Sequence, residues 1–217
     1  MHGQTWPSVA TTQASVLASD WRIFTIAGLA VAVLVWGLIL FAMARWGRAR
    51  RTDALPPQFR RNNALEITWT AIPLVIVCAL FVYTYHAEAD VEALATHPDV
   101  RVHVNAYRWG WTFAYTGGPT IDGTAADPPQ MLLPLGRTTR IELTTSDVTH
   151  AFWVPDFLFK RDAIPGIVNR FDLAPDKVGT FLGRCTQFCG LQHAHMTFTV
   201  RVVPPDAFDR WVHGGAS

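Results

Sequence analysis

The sequence predicts two membrane-crossing helices in a hairpin, followed by an external all-β domain of sandwich or barrel type. Three observations predict it. Two uncharged apolar runs, residues 23–44 and 67–85, occupy the N-terminal part. An arginine-rich stretch lies between them. Beyond residue 86 the chain turns to short alternating runs punctuated by Gly and Pro. The expected division is an N-terminal segment 1–20, a hairpin 21–86 with spans at about 22–45 and 66–86, and a β-domain 87–217.

At about 1.5 Å per residue, the first run reaches roughly 33 Å, enough for a bilayer core of about 30 Å. Trp21 and Trp46 bracket it where aromatic belts sit. It is longer than a signal-peptide core of about 7–15 residues, and no basic stretch precedes it, so a retained span is expected. The second run carries Trp69 near one end and Tyr83 and Tyr85 at the other. Pro73 falls in its first turns, where a helix tolerates it best. Cys78, inside this run, reads as a small packing residue. Arg45, Arg48, Arg50, Arg51, Arg60 and Arg61 oppose only Asp53 in the loop before the second span at about residue 66. The positive-inside rule makes that loop cytoplasmic and places both termini and the β-domain outside.

In the β-domain, residues 100–105, 140–143, 179–182 and 197–203 alternate as strands do. Gly117-Gly118-Pro119 and Asp127-Pro128-Pro129 read as turns. Such spacing predicts an antiparallel sandwich or barrel, closed by a short helix over 204–211 with Pro and Asp near its start. About 130 residues suffice for one core. The whole chain of 217 residues is 50% apolar with a net charge of +1, which excludes disorder and gives no sign of nucleic-acid binding.

The chemistry concentrates in Cys185-Thr-Gln-Phe-Cys189-Gly-Leu-Gln-His193-Ala-His195-Met196, with His150 upstream in Asp147-Val-Thr-His150-Ala-Phe-Trp153. Thiolate, imidazole and thioether are soft to borderline ligands that suit copper rather than calcium or magnesium. Two thiolates on one loop can each bridge two ions, which suggests a dinuclear centre. A disulfide between Cys185 and Cys189 outside the cytoplasm, or a zinc site, are the plainer readings of the pair alone. The spacing also fits one face of a helix. Gly183, Gly190 and the strand at 197–203 instead favour a loop between strands, where a metal can collect the ligands. Met196 and His150 move the balance to copper.

With these residues in place, the chain resembles subunit II of the cytochrome c oxidases over nearly its whole length. The resemblance is carried by Glu66-Ile-Thr-Trp69-Thr-Ala-Ile-Pro73, Trp109-Gly-Trp111, Asp147-Val-Thr-His150, Lys160-Arg-Asp162-Ala-Ile-Pro165-Gly166 and, most specifically, the Cys/His/Met loop. It implies a cupredoxin-like domain with a Cu-A centre of two coppers sharing one unpaired electron. Cys185 and Cys189 would bridge both ions. His150 and Met196 would complete one copper; His193 and the backbone carbonyl of Gln187 would complete the other. His195 matches no ligand position. Trp109 would receive electrons from cytochrome c, with Trp111 close behind on the path, and Glu66 matches an acid at a proton-channel mouth. Haem and oxygen chemistry would lie in subunit I, with other oxidase subunits alongside, on the outer face of a bacterial respiratory membrane.

Two departures bear on partners. Gln187 replaces the family's usual Glu, so a magnesium ion at the border with subunit I would be held more weakly. Thr112, Phe113 and Ala114 stand where many relatives carry acids, leaving Asp122, Asp127 and Asp156 to attract a basic donor. Docking is expected to be weakly steered, or the cytochrome c to be membrane-tethered. The rival readings are a Cu-A subunit of a nitric oxide reductase, a membrane-anchored copper carrier and a disulfide-stapled domain. A quinol oxidase subunit would lack the two thiols.

Overall fold

The structure is a computed structural model that describes residues 8–47, 58 and 60–214. Among these, residues 19–88 form one compact unit, and residues 8–18 with 89–214 form the other.

Helix α1 spans Thr12–Trp46 and α2 spans Asn63–Glu92. Both extend past their apolar runs because polar residues cap them. The Thr11 hydroxyl accepts from the Ala14 N–H at 3.0 Å, and the Asn62 side-chain oxygen accepts from the Leu65 N–H at 3.2 Å. Both helices are long and apolar enough to cross a membrane. Their middles are exposed, with Val33, Leu34, Val75 and Phe81 all turned outward. Cys78, expected to pack, is exposed on α2 as well. Tyr83 OH and Ser19 Oγ, 3.4 Å apart, link the two helices. Arg48, Arg50, Arg51 and Asp53 lie outside the described residues.

The other unit is a two-sheet sandwich of ten strands. They are β1 (Val100–Tyr107), β2 (Gly110–Tyr115), β3 (Thr120–Thr124), β4 (Gln130–Pro134), β5 (Thr139–Thr145), β6 (His150–Val154), β7 (Phe159–Ala163), β8 (Asn169–Leu173), β9 (Gly179–Cys185) and β10 (Thr197–Val203). One sheet runs β3-β2-β1-β5-β8 and the other β4-β10-β9-β6-β7. The sequence reading of a purely antiparallel domain needs correction: β1 pairs with β5, and β4 with β10, in parallel. In both pairs the chain leaves through intervening strands and returns in its original direction. Helix α3 (Pro205–Gly214) follows β10 as expected and buries Phe208.

Alternation delivers aromatics to the space between the sheets. Phe152 of β6 and Phe198 of β10 stack at 4.8 Å, and Trp111 of β2 meets Phe198 edge-on at 4.9 Å. A Cβ on Gly183 would lie 2.1 Å from the Phe198 ring. This residue is therefore a glycine because an aromatic covers its backbone inside β9, and not because a helix must be broken there. The buried pair of Arg140 and Asp172 ties the segment after α2 to the first sheet: Arg140 also donates to the Ala95 carbonyl at 2.6 Å, and Asp172 accepts the Ala95 N–H at 2.7 Å.

Candidate metal centre

Strand directions bring three chain connections to one end of the sandwich. Strands β1, β5 and β9 end there, and β2, β6 and β10 begin there. Cys185 is the last residue of β9, and its N–H donates to the Met196 carbonyl at 2.9 Å, closing the base of the loop ahead of β10. Within the loop, a single 3-10 turn at His193–His195 aims His193 inward and leaves His195 exposed. His150 enters from the other side as the first residue of β6, fully buried.

The side chains converge without a disulfide. Sγ of Cys185 and Sγ of Cys189 are 3.9 Å apart and both thiols are free. Nδ1 of His150 lies 3.7 Å from the Cys185 sulfur, and Nδ1 of His193 lies 3.5 Å from the Cys189 sulfur. The Met196 thioether, wholly buried, sits 3.7 Å from the Cys189 sulfur. The Gln187 carbonyl accepts from the Cys185 thiol at 3.2 Å, while its side chain is exposed. Ligand atoms of His150, Cys185 and Cys189 all lie within 4.8 Å of one another, a group able to hold a metal ion.

Electrostatics set the two thiols apart. Burial raises the Cys185 thiol, but hydrogen bonding to His150, then to the Ala151 and Gln187 backbone, brings it below the usual thiol range. Burial, then the neighbouring Cys185 sulfur, pushes Cys189 up. A metal ion would take both protons' places, because the thiolate is the ligand form. Burial opposes the charged form of His150, yet hydrogen bonds to Cys185 and Asp147 leave its pKa raised.

Asp147 is the functional residue whose role the sequence reading missed. Its Oδ1 faces Nε2 of His150 at 2.9 Å and accepts the Val148 N–H at 2.6 Å. Its Oδ2 accepts the Arg108 backbone N–H at 2.8 Å and Nε at 3.2 Å. Burial raises this carboxyl, but hydrogen bonds from His150, Val148 and Arg108 hold it well below the usual carboxylate range. The signal was present: Asp147 stands three residues before His150, and metal-ligating imidazoles commonly give their other ring N–H to a carboxylate.

The remaining candidates separate. Trp109, half-buried, donates its indole N–H to the Cys189 carbonyl at 3.2 Å. Trp111 is fully buried and meets His150 edge-on at 6.5 Å. Glu66 lies in the first turn of α2, in the other unit, where its carboxylate accepts the Asn62 N–H at 3.2 Å. Asp156, grouped with the acids that could attract a donor, follows the far end of β6 and accepts from the Ser8 N–H and hydroxyl, both at 2.6 Å. Asp122 accepts from the hydroxyls of Tyr107 and Thr112, at 3.0 and 2.6 Å.

Residues 120–203 match the family described as cytochrome c oxidase subunit II, periplasmic domain. The chain is 37% identical to a probable cytochrome c oxidase subunit 2 of Streptomyces coelicolor, over 94% of this chain and 76% of that one. It is 32% identical to cytochrome c oxidase subunit 2 of Mycobacterium tuberculosis, over 95% and 73%. The sandwich is similar to the crystal structure of the periplasmic domain of subunit II of cytochrome oxidase from Bradyrhizobium japonicum. That match has a TM-score of 0.51 and 30% identity, and covers 56% of this chain and 96% of the other.

Proposed function

The chain belongs to the cytochrome c oxidase subunit II family, and from that premise we propose that it receives electrons from a cytochrome c at a two-copper centre and delivers them to haem in subunit I. The observation that carries this reading is the pair of free sulfurs 3.9 Å apart, with imidazoles, a thioether and a carbonyl gathered around them. The donor set fits copper: two thiolates, His150, His193 and a buried Met196, which zinc has little use for. Cys185 and Cys189 would bridge, His150 and Met196 would complete one ion, and His193 with the Gln187 carbonyl the other. When bound, the copper pair supplies one-electron redox chemistry with no open position for a substrate.

The chain's own residues supply the rest. Cys185, Cys189, Met196 and His150 are buried, which keeps water from that side of the centre, while His193 is partly exposed. Trp109 reaches from the surface to within one hydrogen bond of Cys189, which suits a path from the donor to the thiolate. Trp111 packs against His150 inside the core, next along that path. The exposed Gln187 side chain is a neutral and weak ligand for magnesium. Glu66 caps α2 at the position of the family's proton-channel acid. In this reading 1–20 lies outside, 21–86 anchors the chain in the cell membrane, and 87–217 works on its outer face with subunit I, other oxidase subunits and a soluble or tethered cytochrome c.

The test is an EPR spectrum of the full chain, purified in detergent and loaded with copper. An electron shared over two equivalent copper nuclei is expected. A single-copper pattern, or one metal ion per chain, would sink the reading.

A further inference from the structure

Outside the metal centre, the outer face of the second sheet carries a row of three side chains. Strand register sets Lys160 of β7 opposite Trp153 of β6, and Trp153 opposite Arg184 of β9. All three point away from the core, because their sequence neighbours Phe159, Phe152 and Cys185 are buried in it. At about 4.8 Å per strand, the two cations stem from backbones about 10 Å apart across the tryptophan. The Arg184 guanidinium lies over the Trp153 ring, 5.5 Å from its centre. Lys160 and Arg184 are exposed, and Trp153 is half-buried. Among the described residues the row holds one ion pair, Lys160 with Asp162 at 3.5 Å, and Arg184 has none. The row is therefore net positive.

Strand β7 is an edge of its sheet, and its Arg161 is paired with Glu92, the last residue of α2. Glu92 stands seven positions past Tyr85, where the uncharged run of α2 ends. At 1.5 Å per residue that is about 10 Å along the helix, close to the outer limit of a headgroup layer that adds roughly 5–7 Å to each side of a bilayer core. Tryptophan suits this layer, because its ring is amphipathic, and lysine and arginine there pair with phosphate. We propose that Lys160, Trp153 and Arg184 bind the headgroup of an anionic phospholipid, with its phosphate held by the two cations and its glycerol carbons against the indole. Charge decides the class, since a zwitterionic headgroup brings a further cation to a row that already has two. The site rests on α2 as a membrane span and stands whether or not copper is bound.

Binding of phosphatidylglycerol to the full chain in a neutral detergent, counted by native mass spectrometry, tests this. The unsubstituted chain is expected to hold phosphatidylglycerol in preference to phosphatidylcholine. Arg184→Ala and Lys160→Ala are each expected to weaken phosphatidylglycerol binding about fivefold and to leave phosphatidylcholine unchanged. Arg184→Lys keeps the charge and is expected to recover most of the loss. Both side chains are on the surface, so the variants keep the fold, which circular dichroism checks. Equal phosphatidylglycerol binding by the variants and the unsubstituted chain would overturn the proposal. Displacement of the lipid by inorganic phosphate at millimolar concentration would also overturn it, by making the row a site for the free anion. So would protection of Lys160 from amine acetylation in the delipidated, assembled oxidase, because a neighbouring subunit would then cover this face.

Discussion

The two sides of the metal centre are built differently. The β9–β10 loop brings Cys185, the Gln187 carbonyl, Cys189, His193 and Met196 from twelve consecutive residues, closed by one backbone hydrogen bond at its base. The His150 side brings one imidazole from a strand that reaches the loop only through sheet pairing, Phe152 opposite Cys185. The first side is local chemistry; the second is tertiary register. The comparison teaches that a ligand loop can specify its metal by composition, whereas its partner across the site needs a scaffold. Here the scaffold is the Phe152–Phe198–Trp111 cluster together with Asp147.

Substitutions on either side should therefore fail in different ways. The largest effect is expected at the loop. Cys185→Ser or Cys189→Ser should abolish the shared-electron EPR signal outright while leaving the fold, checked by circular dichroism, intact. A shared-electron spectrum surviving either change would break the comparison.

Next comes the scaffold. Phe198→Ala should destabilise the sandwich by about 3–5 kcal/mol, since its ring fills the space between Phe152, Trp111 and Gly183. Denaturant titration of the full chain measures this, with the copper signal lost only as the fold is lost. Loss of copper at full stability would show that the core does not act through position.

A smaller effect is expected where the two sides touch. Gly190 has φ of +118° and a Cβ there would stand 3.1 Å from the Trp109 indole. Gly190→Ala should cost about 1–3 kcal/mol and slow electron uptake from cytochrome c, with two coppers retained. Stopped-flow oxidation of the donor distinguishes this from a loss of metal. Met196→Leu, on the loop, should keep two coppers and change the potential, because a thioether is a weak ligand. Complete copper loss in that variant would place Met196 among the indispensable ligands.

The smallest expected effect is ionic. Asp156 is occupied by Ser8, and Asp122 by Tyr107 and Thr112. These bonds come from neutral groups and leave both carboxylates charged, but Thr112, Phe113 and Ala114 on β2 add no acid beside Trp109, so turnover of the assembled oxidase should fall only shallowly as salt is raised. A steep fall would point to acids on another subunit or on the donor's own tether.

Much of the site was legible in the chain because its signals are local. Cys185, Cys189, His193 and Met196 declare a soft metal by type and spacing, and the apolar runs declare two long helices by composition. The parallel β1–β5 and β4–β10 pairs were not legible, since alternation marks a strand but not the direction of its partner. Gly183 was read as a breaker because the ring of Phe198, fifteen positions away, is invisible to a local window. Asp156 looked free for the same reason: Ser8 reaches it from the far end of the sequence.

By itself, then, the sequence determined which atoms can bind metal, where the chain is apolar enough to cross a membrane, and that the thiols share one loop. Tertiary structure alone decided that Nδ1 of His150 faces the Cys185 sulfur while its Nε2 meets Asp147, and that Trp109 rests on the Cys189 carbonyl. The physical reason is range. Ligand chemistry and hydropathy belong to single residues and their neighbours, while a contact between strands depends on register set by the whole packed core.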